Sequence, residues 1–388
     1  MITIPKAEFE DRISRIQAAF DIQKLDGLMV YGDEYRRENL RYVSNFWPIF
    51  ERGACFIPKT GKPIFAGAPE GECYAREMCP WTDLRNIKEF ACVSVPEEIE
   101  YPLAKFSSLR QIIGDVLRGG QRLGVVGKFD MPGPILDRVQ NALPGLVIVE
   151  ADSILRDLRV VKSANEVACL REAGRIACLG YEALVASAVP GKSELEATGA
   201  AEGVARSAGA ESIPFTVFGS GQRTNTIIGR PTRKIIQDGE MVMVAFAVQY
   251  EGYIATVEYP FVAGVATDAQ KRFLSALFEA STIQVSYLKN GVISGEMVRA
   301  VKSVFQKHKL ERYDLYPPMH GIGLAEAESP YPDEKATYPL RAGMCVNSDI
   351  SLFGHLEGSN RIEEGFVITE SGCESLTPSI RAACAAGV

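Results

Sequence analysis

The stretch Met241-Val-Met-Val-Ala-Phe-Ala-Val-Gln-Tyr250 is an apolar run that predicts a buried β-strand. Glu251-Gly252 follows it as a turn signal, and Tyr253-Ile-Ala-Thr-Val-Glu-Tyr259 predicts a second, returning strand. The three segments together predict a β-hairpin.

A two-residue turn sets Ala245 opposite Glu258 and Ala247 opposite Thr256. Since side chains alternate along a strand with a period of two, all four then share one face of the hairpin. Alanine and threonine carry no charge, so Glu258 is the one carboxylate expected on this face.

The composition predicts an ordinary globular protein with two domains: the chain has 388 residues, 46% of them hydrophobic, and a net charge of -7. The negative charge and the lack of Lys or Arg runs argue against nucleic acid and acidic membranes as partners. Nine cysteines without CxxC spacing favour a reducing compartment. No signal sequence and no membrane span is apparent, so we expect a cytoplasmic protein.

The first part of the chain, residues 1–155, alternates helical and strand patterns. Apolar residues at helical spacing over residues 7–24 precede the strand Gly27-Leu-Met-Val-Tyr31, and further strands are expected at residues 122–127 and 146–150. This order predicts an α/β N-terminal domain.

The pattern changes over residues 156–388. Three capping boxes, which begin at Ser163, Ser193 and Thr267, predict the starts of long helices. A second strand pair is expected at residues 343–349 and 361–369. The second domain is therefore predicted to be α+β, with helices packed on antiparallel strands.

Four residues are candidates for catalysis. Asp349 and Glu363 lie in apolar strands, where an unpaired carboxylate is costly, and His320 lies among glycines that allow close backbone approach. Pairing with Arg361 or with backbone amides would satisfy the acids. The alternative is that Glu258, His320, Asp349 and Glu363 converge on one pocket, where carboxylates and an imidazole suit acid–base catalysis.

Several segments, in order along the chain, resemble the landmarks of the M24 family, whose members share the pita-bread fold. They are Arg159-Val-Val-Lys-Ser-Ala-Asn-Glu166, His320-Gly-Ile-Gly-Leu324, Gly343-Met344, Arg361-Ile-Glu-Glu364 and Val367-Ile-Thr-Glu-Ser-Gly372. The N-terminal half, with Asn39-Leu-Arg-Tyr-Val-Ser-Asn-Phe46, is similar to the creatinase/prolidase N-terminal domain. The resemblance implies an α/β N-terminal domain followed by an α+β pita-bread domain.

The resemblance also bears on metal binding. The five ligands of the family's dinuclear metallopeptidases fall here on Ala245, Thr256, His320, Asp349 and Glu363. Two of the five positions hold residues without a carboxylate, so a dinuclear site does not fit. A single divalent ion at His320, Asp349 and Glu363 stays open. The other precedent is creatinase, which lacks the metal aspartates and has a glutamate at the position of Glu258; on that precedent we expect no cofactor.

The same precedent implies residues that bind the substrate. In creatinase an arginine of the N-terminal domain enters the partner subunit's site, and Phe50-Glu-Arg52 resembles that element, so a homodimer is expected. The loop that should hold creatinase's histidine has none near Ile228 and Gly229. The remaining candidates for substrate binding are Phe218, Arg223, Arg230, Tyr253, Glu328 and Arg361.

Three functions are weighed. The first is a metal-independent hydrolase, with a lyase as second choice, which acts on a C–N bond of a small, polar, zwitterionic molecule. In it Glu258 is the general base, and His320 shares a proton with Asp349 or Glu363. The second is a mononuclear-metal enzyme of the Xaa-Pro dipeptidase or aminopeptidase type. The third is a small-molecule-binding protein without catalytic activity.

Overall fold

A computed structural model describes residues 2–91 and 106–386. The chain forms two compact units: one is Ile4–Leu158, and the other is residues 159 onward together with Ile2 and Thr3. The division expected from the sequence, between residues 155 and 156, stays a prediction. None of the helices in the described ranges is both long enough and apolar enough to cross a bilayer.

The first unit is built on a mixed six-stranded sheet in the order β4-β3-β2-β1-β5-β6. Its strands are β1 (Gly27–Asp33), β2 (Arg52–Pro58), β3 (Ile64–Gly67), β4 (Leu84–Asn86), β5 (Arg122–Val126) and β6 (Val147–Glu150). The helices are α1 (Lys6–Ala18), α2 (Phe20–Gln23), α3 (Glu38–Ser44), α4 (Glu72–Met78), α5 (Leu109–Leu117), α6 (Gly133–Gln140) and α7 (Asp152–Arg159), with a 3-10 turn at Lys88–Phe90. The predicted α/β pattern is therefore observed, and the helix expected over residues 7–24 is divided between α1 and α2 at Ala19.

The second unit contains two four-stranded sheets. In the first, β8 pairs with β7 on one side and with β9 and β10 on the other; the second has the order β11-β12-β13-β14. The strands are β7 (Ser212–Ser220), β8 (Glu240–Tyr250), β9 (Tyr253–Val257), β10 (Phe261–Ala263), β11 (Met319–Gly321), β12 (Cys345–His355), β13 (Gly358–Ile368) and β14 (Cys373–Ser375).

Five helices accompany these sheets: α8 (Ala164–Ser187), α9 (Glu194–Ser207), α10 (Asp268–Tyr287), α11 (Ser294–Lys307) and α12 (Pro378–Ala386). Short 3-10 turns lie at Gly221–Thr226 and Glu311–Tyr313. The capping boxes at Ser163, Ser193 and Thr267 are all formed, which confirms three helix starts predicted from sequence. Apolar side chains of α8, α9, α10 and β8 share one core with β12 and β13.

The hairpin β8–β9 has the predicted register. Tyr250 pairs with Tyr253 across a two-residue turn, and Ala247 pairs with Thr256. Both turn residues have positive φ, 49° at Glu251 and 87° at Gly252, as a tight type I′ turn requires. Strand β9 ends one residue before Glu258, which pairs instead with β13 of the other sheet.

Candidate active site

The candidate site lies where the two sheets of the second unit meet. Asp349 on β12 is directly opposite Glu363 on β13, and Glu258 forms an antiparallel bridge with Glu363 from the other sheet. Period-two alternation puts Arg361 on the same face of β13 as Glu363. The strand pairing thus brings three acidic residues and one arginine together.

His320 on β11 faces this group from the neighbouring strand, where it pairs with Asn347. Its Nδ1 lies 3.0 Å from the carbonyl oxygen of Gly321, and its Nε2 lies 3.2 Å from Oε1 of Glu363. If Nδ1 donates to that carbonyl, the lone pair of a neutral ring is on Nε2, which points toward the acids. Asn347 donates from Nδ2 to the same Glu363 oxygen at 2.6 Å. The carboxylate and the ring are therefore held in fixed positions.

Glu326 completes a cluster that could hold a metal ion. One ligand atom from each of His320, Glu326 and Glu363 lies within 4.8 Å of the others. Oε1 of Glu326 is 3.7 Å from Nε2 of His320 and accepts a hydrogen bond from Oγ1 of Thr256 at 3.5 Å. Catalytic metal sites commonly have three protein ligands, which leaves positions for water and substrate.

Glu326 was not among the residues singled out from sequence. It lies in an irregular loop, between two alanines, where no periodicity indicates the direction of a side chain. The one available signal is its position, six residues beyond His320 and next to the landmark segment His320-Gly-Ile-Gly-Leu324.

Arg361 lies between the other two acids. Its Nε is 3.2 Å from Oε2 of Glu258, and its Nη1 is 3.6 Å from Oδ2 of Asp349. Glu258 is fully buried, and neither of its oxygens has a hydrogen bond of good geometry. Oδ1 of Asp349 also has no hydrogen-bond partner. Buried carboxylates in this condition carry a large desolvation cost.

The acids affect each other's protonation. Burial raises the pKa of Glu258 well above its usual range, because the charge of Arg361 offsets only part of the desolvation. Burial, with the charge of Glu363, raises the pKa of Glu326 to about 8. Burial also raises the pKa of Asp349 to about 6, against the charge of Arg361. The protein's own cations do not balance this many buried acids.

His320 and Glu363 form an ionised pair. Burial lowers the pKa of His320, but the hydrogen bond and charge of Glu363 outweigh burial and raise it to about 10. For Glu363, burial raises the pKa, and the hydrogen bond and charge of His320 outweigh it, so the pKa lies below its usual value. Without a bound cation the His320 proton supplies positive charge beside the carboxylate, and an ion held by Nε2 would take the place of that proton.

A cavity of about 740 Å³ opens onto this group. Its charged lining residues are Glu202, Arg230, Glu326, Arg361 and Glu363, and Ala245 forms part of its wall. The rest of the lining is Leu195, Pro214, Phe215, Thr216, Val217, Ile227, Ile228 and Pro231. A mostly apolar wall with a few charged groups is typical of a site for a small polar molecule.

Three of the residues predicted to bind substrate have structural positions instead. Phe218 is fully buried in the core cluster of the second unit. Tyr253 is buried, and its hydroxyl is 3.0 Å from Oε1 of Glu166. Glu328 is ion-paired with Arg159 and with Lys162, the latter at 2.7 Å. These positions conflict with the prediction that the three side chains contact substrate, because Phe218 and Tyr253 are buried and Glu328 is held by its two cations.

The two loop arginines differ. Arg223 pairs with the fully buried Glu194, Nε to Oε2 at 3.1 Å, and donates to the carbonyl of Arg230. Arg230 is exposed and lines the cavity. In the part of the chain that the structure describes, no carboxylate forms an ion pair with Arg230. Arg230 therefore remains a candidate for substrate binding, and Arg223 is occupied in fixing the loop.

Phe50 and Arg52 belong to the first unit. Phe50 is exposed, has a φ of 64°, and its backbone N–H donates to Oε2 of Glu34 at 2.9 Å. Arg52 begins β2 and pairs with Asp33 of β1. Their proposed role in a partner subunit's site, and the homodimer itself, stay predictions.

The model of metallopeptidase family M24 matches residues 168–370, just over half of the chain. The chain belongs to metallopeptidase family M24. The creatinase/prolidase N-terminal domain model matches residues 12–161. The resemblance stated from the sequence landmarks is confirmed, and the chain is an enzyme of a peptidase family, a class that hydrolyses C–N bonds.

A relative from Pyrococcus horikoshii, an Xaa-Pro dipeptidase, is 25% identical over 372 residues, which is 96% of this chain and 98% of that protein. The Xaa-Pro dipeptidase from Bacillus anthracis has a similar structure, with a TM-score of 0.80 at 23% identity over 95% and 97% of the two chains. The prolidase structure from Pyrococcus horikoshii gives 0.81 at 22% identity, over 95% and 98%. The predicted fold, an α/β domain followed by an α+β pita-bread domain, is confirmed.

These comparisons correct two predictions. A metal-independent reaction is wrong for a member of a family described as metallopeptidases, whose relative above is a dipeptidase. The expectation of no cofactor is wrong for the same reason. The prediction took the missing carboxylates at Ala245 and Thr256 as evidence against a bound metal. A carboxylate from another segment, Glu326, lies beside Thr256.

The donor set fits one divalent ion better than two. His320, Glu326 and Glu363 offer nitrogen and oxygen ligands close together, and the surplus of buried acid around them favours a cation. A second ion does not fit, because Ala245 and Thr256 supply no carboxylate and Asp349 is engaged by Arg361. The ligand set weighed from sequence is His320, Asp349 and Glu363, whereas the structure brings Glu326 within reach of His320 and Glu363.

Proposed function

We propose that this protein hydrolyses the amide bond of small dipeptides of the Xaa-Pro type, with one divalent metal ion held by His320, Glu326 and Glu363. The observation that carries the proposal is the cluster of these three side chains beside the cavity. When bound, such an ion lowers the pKa of a coordinated water and polarises a carbonyl group. Family membership and the dipeptidase relative support the class of substrate.

Proton transfer is assigned to Asp349. It lies opposite Glu363 on the neighbouring strand, and its Oδ1 has no hydrogen-bond partner. Asp349 takes a proton from the attacking water and delivers it to the leaving nitrogen of the amide. Arg361 beside it favours the charged carboxylate, and the hydrogen bond from His320 Nδ1 to Gly321 keeps the ring in place.

Substrate binding is assigned to the cavity. Arg230, which has no ion-pair partner among the described residues, binds the carboxylate of the dipeptide, since guanidinium groups match carboxylates geometrically. Phe215, Ile228 and Pro231 offer an apolar wall to a proline ring. The volume of about 740 Å³ is large enough for a dipeptide.

The test is hydrolysis of Ala-Pro, Leu-Pro and Met-Pro, compared with Ala-Ala and with Ala-Pro-Ala, by release of free amino acid. Purified protein is assayed before chelation, after chelation and after dialysis against manganese, zinc or cobalt. We expect turnover of the Xaa-Pro dipeptides that is lost on chelation and restored by one of the metals. Turnover unaffected by chelation, or no hydrolysis with any restored metal, would overturn the proposal.

A further inference from the structure

The hairpin β8–β9 provides no carboxylate at Ala245 and Thr256, where it forms the wall of the site. Ala245 is nearly buried and lines the cavity, and Thr256 is buried on the neighbouring strand. Neither side chain can ligate a cation as a carboxylate does. On the hairpin itself, the nearest acid is Glu258, whose carboxylate lies against Arg361.

The Glu326 side chain lies beside Thr256, although it comes from a distant part of the chain. Its Oε1 accepts from the hydroxyl of Thr256 at 3.5 Å, across 70 residues of sequence, and lies 3.7 Å from Nε2 of His320. Its side chain is 26% exposed and lines the cavity with Ala245 and Glu363. A carboxylate is therefore present next to the hairpin although the hairpin sequence does not provide one.

The loop that carries Glu326 is fixed at its base. The backbone N–H groups of Gly321 and Glu328 each donate to the other residue's carbonyl at 2.9 Å. The carboxylate of Glu328 accepts from Lys162 Nζ at 2.7 Å and is also paired with Arg159. Arg159 and Lys162 are buried and the Glu328 side chain is only 11% exposed, so the loop is anchored just after Glu326. A ligand on an anchored loop pays little entropy when it binds an ion.

We propose that Glu326 is a relocated metal ligand, which supplies from the loop after β11 the carboxylate that the hairpin lacks at Thr256. Thr256 acts as a positioning residue, because its hydroxyl donates to the Glu326 carboxylate. This inference rests on the proposed function and deepens it. The site takes one ion, and the carboxylate beside Thr256 can come from the hairpin or from the loop after β11.

The test measures metal binding directly, with Mn²⁺ and Zn²⁺ as separate probes in isothermal titration calorimetry of the chelated full-length protein. We expect E326Q to weaken binding by tenfold or more. Adding an acid on the hairpin, in E326Q/T256D, is expected to restore at least half of the decrease in the logarithm of the metal affinity. Because Thr256 is buried, E326Q/A245D is measured in parallel, with its new carboxylate on the cavity wall.

The matched control is E202Q. Glu202 lines the same cavity, but its carboxylate accepts from Thr216 at 2.7 Å and lies outside the cluster. E202Q removes the same charge, so its affinity should stay within about threefold of the wild-type value. An E326Q variant that binds as tightly as E202Q would overturn the inference. Failure of both hairpin variants to recover affinity would also overturn it.

Failure of the proposed function gives a different result. E363Q removes a ligand that the proposed function requires irrespective of Glu326. If E363Q loses metal and E326Q does not, an ion is bound at His320 and Glu363 without Glu326: metal-dependent hydrolysis stands, and Glu326 is removed from the ligand set together with the relocated-ligand inference. If the wild-type protein binds neither probe, the proposed function itself fails.

Discussion

Glu258 and Glu363 exchange two backbone hydrogen bonds. The N–H of Glu258 donates to the carbonyl of Glu363 at 3.0 Å, and the N–H of Glu363 donates to the carbonyl of Glu258 at 2.8 Å. This single bridge joins the sheet of β8 to the sheet of β12. The residue that follows the hairpin therefore becomes a neighbour of the metal-ligand candidate on β13, and both carboxylates lie near Arg361.

The first prediction concerns Arg361. Arg361→Met leaves the buried acids Glu258 and Asp349 without their cation, so we expect the free energy of unfolding to fall by about 2 to 4 kcal/mol. Urea denaturation monitored by circular dichroism measures the change. Arg361→Lys, which keeps the charge, should lose less. Recovery of part of the stability in Arg361→Met with Glu258→Gln would support the pairing, and equal stability of Arg361→Met and wild type would contradict it.

The second prediction separates the two loop arginines. Arg230→Gln should raise KM for an Xaa-Pro dipeptide by tenfold or more with a small change in kcat, because it removes the carboxylate partner. Arg223→Gln is the matched control. It leaves the buried Glu194 without its ion pair and should lower the melting temperature. A KM that is unchanged in Arg230→Gln would remove Arg230 from the binding site.

Phe218 gives a third, simpler prediction. Because its ring is fully buried in the core, Phe218→Ala should cost about 3 to 5 kcal/mol of stability, and Phe218→Leu clearly less. At a temperature where the leucine variant is folded, its KM should equal the wild-type value. A raised KM in a stable Phe218→Leu protein would instead restore the residue to the substrate site.

Glu51 gives a pH-dependent prediction in the first unit. Burial raises its pKa from 4.5 to about 7, although its carboxylate accepts from the N–H of Gly71 at 3.0 Å. Since the pKa is higher in the folded protein, the folded state favours the protonated form, and stability is lost as pH rises from about 4.5 through 7. Glu51→Gln should therefore be more stable than wild type at pH 8, by about 1 to 3 kcal/mol, with little difference near pH 4.5.

Thermal unfolding at both pH values measures this difference. The control is Glu77→Gln, at an exposed position of α4. It should leave the pH dependence as in wild type. A Glu51→Gln protein that is equally stable with wild type at pH 8 would show that the buried carboxyl carries no penalty.

Local patterns predicted much of the fold. Period-two alternation and the Glu251-Gly252 turn were enough to place Ala247 opposite Thr256, and the serine and threonine caps marked three helix starts. These features depend on neighbours in sequence. The contact between Thr256 and Glu326 depends on how the loop after β11 returns to the hairpin, and no local pattern encodes that path.

The same limit explains the errors in the predicted site. The sequence predicts a strand at Tyr253 but not which of its faces meets the core, and it predicts no strand at Phe218, which lies in β7. Glu328 lies among family landmarks, yet its role here is to pair with Arg159 and Lys162. The absence of two carboxylates from the hairpin suggested a site without metal. The number of acidic side chains that the fold brings together at the site favours a bound cation.

The most direct test of the account is the metal content of the purified protein, measured by inductively coupled plasma mass spectrometry alongside hydrolysis of an Xaa-Pro dipeptide. We expect about one divalent ion per chain at full activity, with metal and activity lost together in Glu363→Gln. Full turnover by protein that holds no metal would contradict the account.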